Sequence, residues 1–165
     1  ELQPFGGNTW ASAAGMATIE YIHENHLVEE ASKKGRYFTE KLKHLQADYP
    51  LLKDVRGKGL MIGLEFQSIR DNRLLNKFVK RRTADTLEEY VGGLIATELL
   101  NRHNIITAYT LNNPNVIRIE PPLIISYKEI DYFVLALKEV LERYKGVTDL
   151  AINNLKNIFK SIVRR

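Results

Sequence analysis

Hydrophobic side chains recur at helical spacing through much of the chain. The clearest case follows the capping-box sequence Ser126-Tyr127-Lys128-Glu129, after which apolar residues return every three or four positions. Thr86-Leu87-Glu88-Glu89 has the same capping spacing, and Asn8 is a good N-cap residue. These patterns predict five helices, over residues 8–26, 28–46, 86–102, 126–145 and 148–165.

Two other stretches are typical of strand pairs. Residues 54–66 contain apolar residues on both sides of Gly57-Lys58-Gly59, which predicts strand, tight turn and strand. Strands are also predicted over 105–111 and 116–120, joined by the turn Asn112-Asn113-Pro114-Asn115 and stopped by Pro121-Pro122. The pattern therefore indicates an α/β fold of the two-layer α+β sandwich type, with a small, mainly antiparallel sheet covered by helices.

Composition narrows the class of protein. The chain has 165 residues, enough for one domain with an appendage, and its 24 cations and 20 anions give a net charge of +4. It has no cysteine, which excludes a disulfide scaffold and thiolate chemistry and favours a reducing compartment. No apolar run is long enough to span a bilayer. We therefore expect a cytoplasmic protein that does not enter a membrane.

The opening turn, Phe5-Gly6-Gly7-Asn8, leads into a helix rich in alanine. Free N–H groups at a helix start attract anions, phosphate above all, and small residues let a ligand approach. A glycine turn that only enters a helix is the commoner explanation, and the motif alone favours it. Because this motif begins the chain, we expect further polypeptide before it.

Arg118 is the second candidate for chemistry. In Val116-Ile117-Arg118-Ile119-Glu120, strand alternation places Arg118 and Glu120 on one face and the isoleucines on the other. A guanidinium at a strand end can bind a carboxylate through two parallel hydrogen bonds. A structural pair with Glu120 or with a cross-strand acid is the alternative, and spacing alone favours that alternative.

Metal and nucleic-acid sites are less well supported. His23 and His26 are three residues apart on a helix, but no third ligand follows, and His44 and His103 are isolated. The basic residues between 67 and 82 and in the C-terminal tail could contact nucleic acid or anionic lipid. Interleaved acids such as Asp71 and Glu88 indicate a solvated charged surface instead. We therefore predict no metal site and no nucleic-acid partner.

Three segments in this order resemble the C-terminal part of class III pyridoxal-phosphate aminotransferases. The group includes acetylornithine, ornithine, 4-aminobutyrate and putrescine aminotransferases. The segments are Phe5-Gly6-Gly7-Asn8 with its alanine-rich helix, Val55-Arg56-Gly57-Lys58-Gly59-Leu60-Met61-Ile62-Gly63-Leu64-Glu65-Phe66, and Asn115-Val116-Ile117-Arg118-Ile119-Glu120-Pro121-Pro122-Leu123.

The resemblance implies that residues 1–145 form the C-terminal small domain of a fold-type-I transaminase, with residues 1–26 as a domain-linking helix region. Residues 146–165 would be an added amphipathic helix. The parent enzyme would move an amino group between an amine or amino acid and a 2-oxo acid, using pyridoxal 5'-phosphate. In the family, the lysine that binds the cofactor and the aspartate that pairs with its pyridine nitrogen precede the first segment. The isolated chain should therefore be inactive, with no catalytic residue of its own and no cofactor bound.

The resemblance assigns roles to few residues here. Arg118 matches the arginine that binds the substrate carboxylate. Phe5, Gly6, Gly7 and Asn8 match the segment that reaches the cofactor phosphate of the partner subunit, which implies a homodimeric parent. The family usually has threonine or serine just before this segment, and its hydroxyl binds the phosphate. Here that position is Pro4, which has neither a hydroxyl nor an N–H group.

An alternative keeps the fold without catalysis. The chain would then be a binding or interaction module, such as a degenerate subunit that pairs with a complete partner. Pro4 and the additional C-terminal helix favour this alternative slightly. The coding sequence upstream of Glu1 would separate the two hypotheses, because only the enzyme requires the aspartate and the lysine.

Overall fold

A computed structural model describes residues 7–68, 91–110 and 112–144 of the chain. The capping sequence at Thr86, the basic stretch 69–82, Gly146 and the expected helix 148–165 lie outside these residues. In chain order, the elements are α1 Thr9–Glu24, α2 Leu27–Asp48, β1 Leu52–Lys58, β2 Met61–Phe66, α3 Val91–His103, β3 Ala108–Tyr109, β4 Val116–Ile119 and α4 Tyr127–Arg143.

The four strands form one sheet in the order β1-β2-β4-β3, and every neighbouring pair is antiparallel. One face of the sheet carries Ile62, Leu64 and Ile117, which are nearly inaccessible to solvent. They share a single core with apolar residues of α2, α3 and α4, among them Leu42, Ile95, Leu99, Ile130 and Leu137. The two-layer α/β architecture predicted from the sequence is confirmed.

Local capping signals are also confirmed. Ser126 Oγ accepts a hydrogen bond from Glu129 N at 3.2 Å, and Glu129 Oε2 accepts one from Ser126 N at 2.7 Å. Asn8 Oδ1 accepts hydrogen bonds from Trp10 N at 3.0 Å and Ala11 N at 3.3 Å at the start of α1. Each cap satisfies backbone donors that the first helical turn leaves without a partner.

The strand predicted over residues 105–111 is wrong in its length. Among the described residues of this stretch, Ala108 and Tyr109 form the strand beside β4, and Thr110 N adds one hydrogen bond to Val116 O at 2.9 Å. The preceding backbone closes α3 instead: Asn104 N donates to Leu100 O, and Ile105 N donates to Leu99 O. Asn104 adopts a left-handed conformation at φ +55°, as often occurs where a helix ends. These N–H groups therefore take no part in a strand ladder.

Helix α1 carries several large apolar residues, yet none of its side chains is buried. Trp10 is 88% exposed, and Met16 and Ile19 are also exposed, while Ile22 is only half-buried. These apolar side chains of α1 therefore lie outside the core of the described residues. The described core therefore consists of the sheet and helices α2, α3 and α4.

Candidate substrate-carboxylate site

The sheet face away from the core carries a row of four residues, one from each strand. Arg56 of β1 lies opposite Gly63 of β2, Gly63 opposite Arg118 of β4, and Arg118 opposite Ala108 of β3. Two arginines thus share one face, separated by a residue without a side chain. We call this row, Arg56, Gly63, Arg118 and Ala108, the arginine row. The two guanidinium groups make this row a candidate site for an anion.

Arg56 is neutralised by its neighbours. Its Nη1 atom lies 2.6 Å from Asp54 Oδ2 and 2.7 Å from Glu65 Oε2, and both contacts are hydrogen-bonded ion pairs. The Asp54 carboxylate, and then that of Glu65, raise the pKa of Arg56. Short charge-assisted hydrogen bonds of this kind fix a side chain. Arg56 is therefore a structural residue of the sheet surface, and its charge is already matched.

Arg118, in contrast to Arg56, has only a loose ion pair among the described residues. Its side chain is 57% exposed, and the contact to Glu120 is a loose ion pair, with 3.4 Å between Nε and Oε1. Within residues 7–68, 91–110 and 112–144, the two Nη atoms of Arg118 have no partner. The alternation predicted from the sequence is confirmed, because Ile117 and Ile119 are buried while Arg118 and Glu120 are exposed. The guanidinium can therefore bind a carboxylate by donating hydrogen bonds to it, without first breaking a short ion pair within the protein.

Arg118 also lines a cavity of about 490 Å³ at the end of β4. Most of the lining is apolar and comes from three parts of the fold: the segment before β3, the Pro121-Pro122 turn, and α4 with the loop before it. Sequence reasoning did not find this cavity, because its walls are brought together only by tertiary packing. The one sequence signal nearby was the proline pair, which ends the strand and begins one wall.

The opening turn is described only at Gly7 and Asn8; Phe5 and Gly6 lie outside the described residues. Gly7 has φ +82°, in the region that glycine adopts most readily, and an added Cβ would meet nothing within 4 Å. Asn8 Oδ1 accepts hydrogen bonds from Trp10 N and Ala11 N. In the first turn of α1, this leaves the N–H group of Thr9 as the one without a partner among the described residues. An approaching anion would find open space and one helix donor.

Other site classes receive no support from the described residues. Among them, His23, His26, His44 and His103 join no set of three or more histidine and acidic side chains that could hold a metal ion. Across these same residues, every helix is too short or too polar to cross a bilayer.

Comparison with known proteins identifies the family. The family model of class-III aminotransferases matches residues 3–141. An uncharacterized aminotransferase of Schizosaccharomyces pombe is 32% identical over 146 residues, covering 88% of this chain and 28% of that protein. A putrescine aminotransferase of Pectobacterium atrosepticum is 34% identical over 143 residues, covering 86% of this chain and 26% of that protein. The chain thus spans less than a third of either relative.

Solved structures agree with this assignment. An aminotransferase of Bacillus anthracis superposes with a TM-score of 0.68 at 26% identity, over 87% of this chain and 30% of that one. A transaminase obtained by ancestral reconstruction gives a TM-score of 0.69 at 25% identity, over 90% of this chain and 30% of that one. The sheet, its helical layer and the three sequence segments therefore have one explanation: this chain belongs to the class-III aminotransferase family.

Proposed function

We propose that this chain is the C-terminal small domain of a pyridoxal-phosphate-dependent transaminase, in which Arg118 binds the carboxylate of the substrate. The observation that carries the proposal is the contrast within the arginine row. Arg56 is held by two carboxylates at 2.6 and 2.7 Å, while Arg118 has only a loose contact at 3.4 Å among the described residues and lines a cavity. Arg118, which lines this cavity and whose Nη atoms have no partner within the described residues, suits the recognition of a 2-oxo acid.

The turn at residues 5–8 would bind the phosphate group of the cofactor, away from the atoms that react. The open space at Gly7 and the available N–H group of Thr9 fit a contact with one side of the cofactor phosphate. When bound, the cofactor supplies the electron sink that stabilises the substrate after its Cα–H bond breaks. The role of these residues is to hold the phosphate, and the role of Arg118 is to orient the substrate.

The phosphate would belong to the partner subunit of a homodimer. The exposed apolar residues of α1 support this part of the proposal, because Trp10 is 88% and Met16 63% exposed beside the proposed phosphate contact. In the complete gene product, Trp10→Glu should therefore weaken the dimer, measured by light scattering after size-exclusion chromatography. A tight dimer in that variant would contradict the placement of α1 at the interface.

The role of Arg118 is tested in the complete gene product with Arg118→Gln. Hydrogen bonds to charged groups contribute about 1.5–3 kcal/mol each, so the loss of one predicts a fall in kcat/KM for a 2-oxo acid of about 10- to 150-fold. We expect the fall to lie mainly in KM, because the carboxylate is bound in both ground and transition states.

Arg56→Gln is the matched control, since it removes the same charge from the same row. We expect it to lower the stability of the sheet and to leave KM nearly unchanged. Equal effects of the two substitutions on KM, or no effect of Arg118→Gln, would contradict the proposed carboxylate site.

The isolated chain should not transaminate, because the resemblance places the cofactor-binding lysine on preceding polypeptide. The test is to mix the chain with pyridoxal phosphate, an amino donor and a 2-oxo acid, and to follow product formation. Robust turnover by the 165-residue chain would refute this part of the proposal. An upstream coding sequence that contains the expected aspartate and lysine would support the enzyme over a binding module.

A further inference from the structure

The cavity beside Arg118 has the character of a site for an apolar group. Its walls include Ile105, Ile119, Pro121, Pro122, Ile125 and Phe133. Phe133 and Ile119 belong to the core, so one wall is rigid. The volume of about 490 Å³ lies within the range of about 300–1,000 Å³ that is usual for small-molecule sites.

Its polar groups are few. Thr107 Oγ1 is buried at the wall and has no hydrogen-bond partner within the described parts of the chain. Buried polar atoms are normally satisfied, so an unpaired one beside a cavity is a place where a ligand or a water molecule can bind. Thr107 thus supplies one hydrogen-bonding position on an otherwise apolar wall.

The charges at the cavity favour an anion at one position only. Arg118 is the single cation among the described lining residues. Of the two acids, Glu129 is engaged in the helix cap, where its Oε2 lies 2.7 Å from both Ser126 N and Ser126 Oγ. Glu120 lies 3.4 Å from Arg118 Nε, and no other described residue pairs with the Nη atoms. A carboxylate is therefore favoured at Arg118 and disfavoured deeper in the cavity.

We propose that the cavity binds the apolar chain of a monocarboxylic substrate whose carboxylate is held by Arg118. This inference rests on the proposed function of Arg118 and names the substrate class for the same site. The preferred substrates would be 2-oxo acids, and the corresponding amino acids, with extended hydrocarbon side chains. Acids with a second carboxylate would be poor substrates, because that group would enter the apolar part of the cavity.

The test uses the complete gene product and a series of acceptors: 2-oxobutanoate, 2-oxopentanoate, 2-oxohexanoate and 2-oxooctanoate, with 2-oxoglutarate for comparison. Each buried methylene contributes about 0.8 kcal/mol, so kcat/KM should rise about fourfold per added methylene until the cavity is filled. The dicarboxylic acceptor should fall below the hydrocarbon acceptor of similar length.

Ile125→Trp places a larger side chain in the cavity, and we expect it to flatten the chain-length series. Leu135→Trp is the matched control: Leu135 is 59% exposed on α4 and does not line the cavity, so the series should keep its slope. Circular dichroism verifies that both variants are folded. The series on the unsubstituted protein keeps the proposal falsifiable if Ile125→Trp does not fold.

The outcomes separate this inference from the proposed function. A flat series in the unsubstituted protein, together with a large effect of Arg118→Gln on 2-oxobutanoate, would overturn the cavity proposal alone. No effect of Arg118→Gln on any acceptor would overturn the carboxylate site itself. A flat series combined with a large loss of thermal stability in Ile125→Trp would indicate that another part of the polypeptide fills the cavity, which also overturns the proposal.

Discussion

Helix α2 approaches the β1–β2 turn so closely that one position admits only glycine. Gly35 is buried on α2, and a Cβ built there would lie 2.6 Å from Gly59 Cα and would overlap the Gly59 carbonyl group. Gly59 has φ +56°, so its own backbone is set by the turn. Both sides of this contact are main chain, and neither can move aside by a change of rotamer. Gly35→Ala should therefore force α2 away from the sheet.

The size of the effect follows from two opposing contributions. Overpacking a rigid contact costs about 1–3 kcal/mol, and a clash between two backbones belongs at or beyond the upper limit. Replacing glycine by alanine inside a helix stabilises the helix by up to about 1 kcal/mol, which offsets part of this cost. The net loss in the free energy of unfolding is about 2 kcal/mol, which lowers Tm by about 4–8 °C in a chain of this length.

The assay is thermal and urea unfolding of the chain, followed by circular dichroism. Gly15→Ala is the matched control, since Gly15 is a helical glycine of α1 whose added Cβ meets nothing within 4 Å. We expect it to leave Tm unchanged or to raise it slightly, because only the helix propensity changes. If Gly35→Ala unfolded at the same temperature and urea concentration as the parent, α2 would not approach the turn as described.

Two further predictions concern acidic residues on the helices. Glu98 is only 8% exposed, and its carboxylate lies 2.7 Å from Arg102 Nε, so Glu98→Ala should reduce the free energy of unfolding by about 1.5 kcal/mol or more; a urea midpoint equal to that of the parent would contradict this. Hydrogen bonds from Lys41, and then from Tyr37, lower the pKa of Asp131 below its ordinary value of 3.8. Because the pKa of Asp131 is lower in the folded than in the unfolded chain, its ionised carboxylate stabilises the fold above pH 3.8. This stabilisation is lost as the pH falls through the pKa of the folded state. Urea midpoints at pH 7 and pH 3 should therefore differ less in Asp131→Asn than in the parent, and equal differences would refute the role of this carboxylate.

The amino-acid sequence was enough to predict those helix ends and turns that depend on interactions between neighbouring residues. The cap at Ser126, the N-cap at Asn8 and a tight turn between β1 and β2 were predictable because each depends on residues within a few positions of one another. The turn lies at Gly59 and Leu60, one step later than the glycine pattern suggested, because Gly57 and Lys58 still pair with β2. The apolar residues that return every three or four positions after Ser126 likewise predicted an apolar side of α4, and that side packs in the core. The strand over 105–111 was overestimated, because the pattern could not show that Asn104 and Ile105 would donate to α3.

The candidate site depends on contacts that are distant in sequence. Arg56 and Arg118 looked alike as basic residues on strands, and only the register of β1, β2 and β4 showed that they share one row. Arg56 is neutralised by Asp54 of its own strand and by Glu65 of the neighbouring strand, whereas Arg118 has one loose contact within the described residues. The cavity likewise exists only where separate segments meet. The sequence alone thus predicted the described helices and caps and the candidacy of Arg118. The folded structure decided which arginine keeps its Nη atoms unpaired within the described residues, because charge neutralisation depends on distances of a few ångströms that spacing along the sequence does not fix.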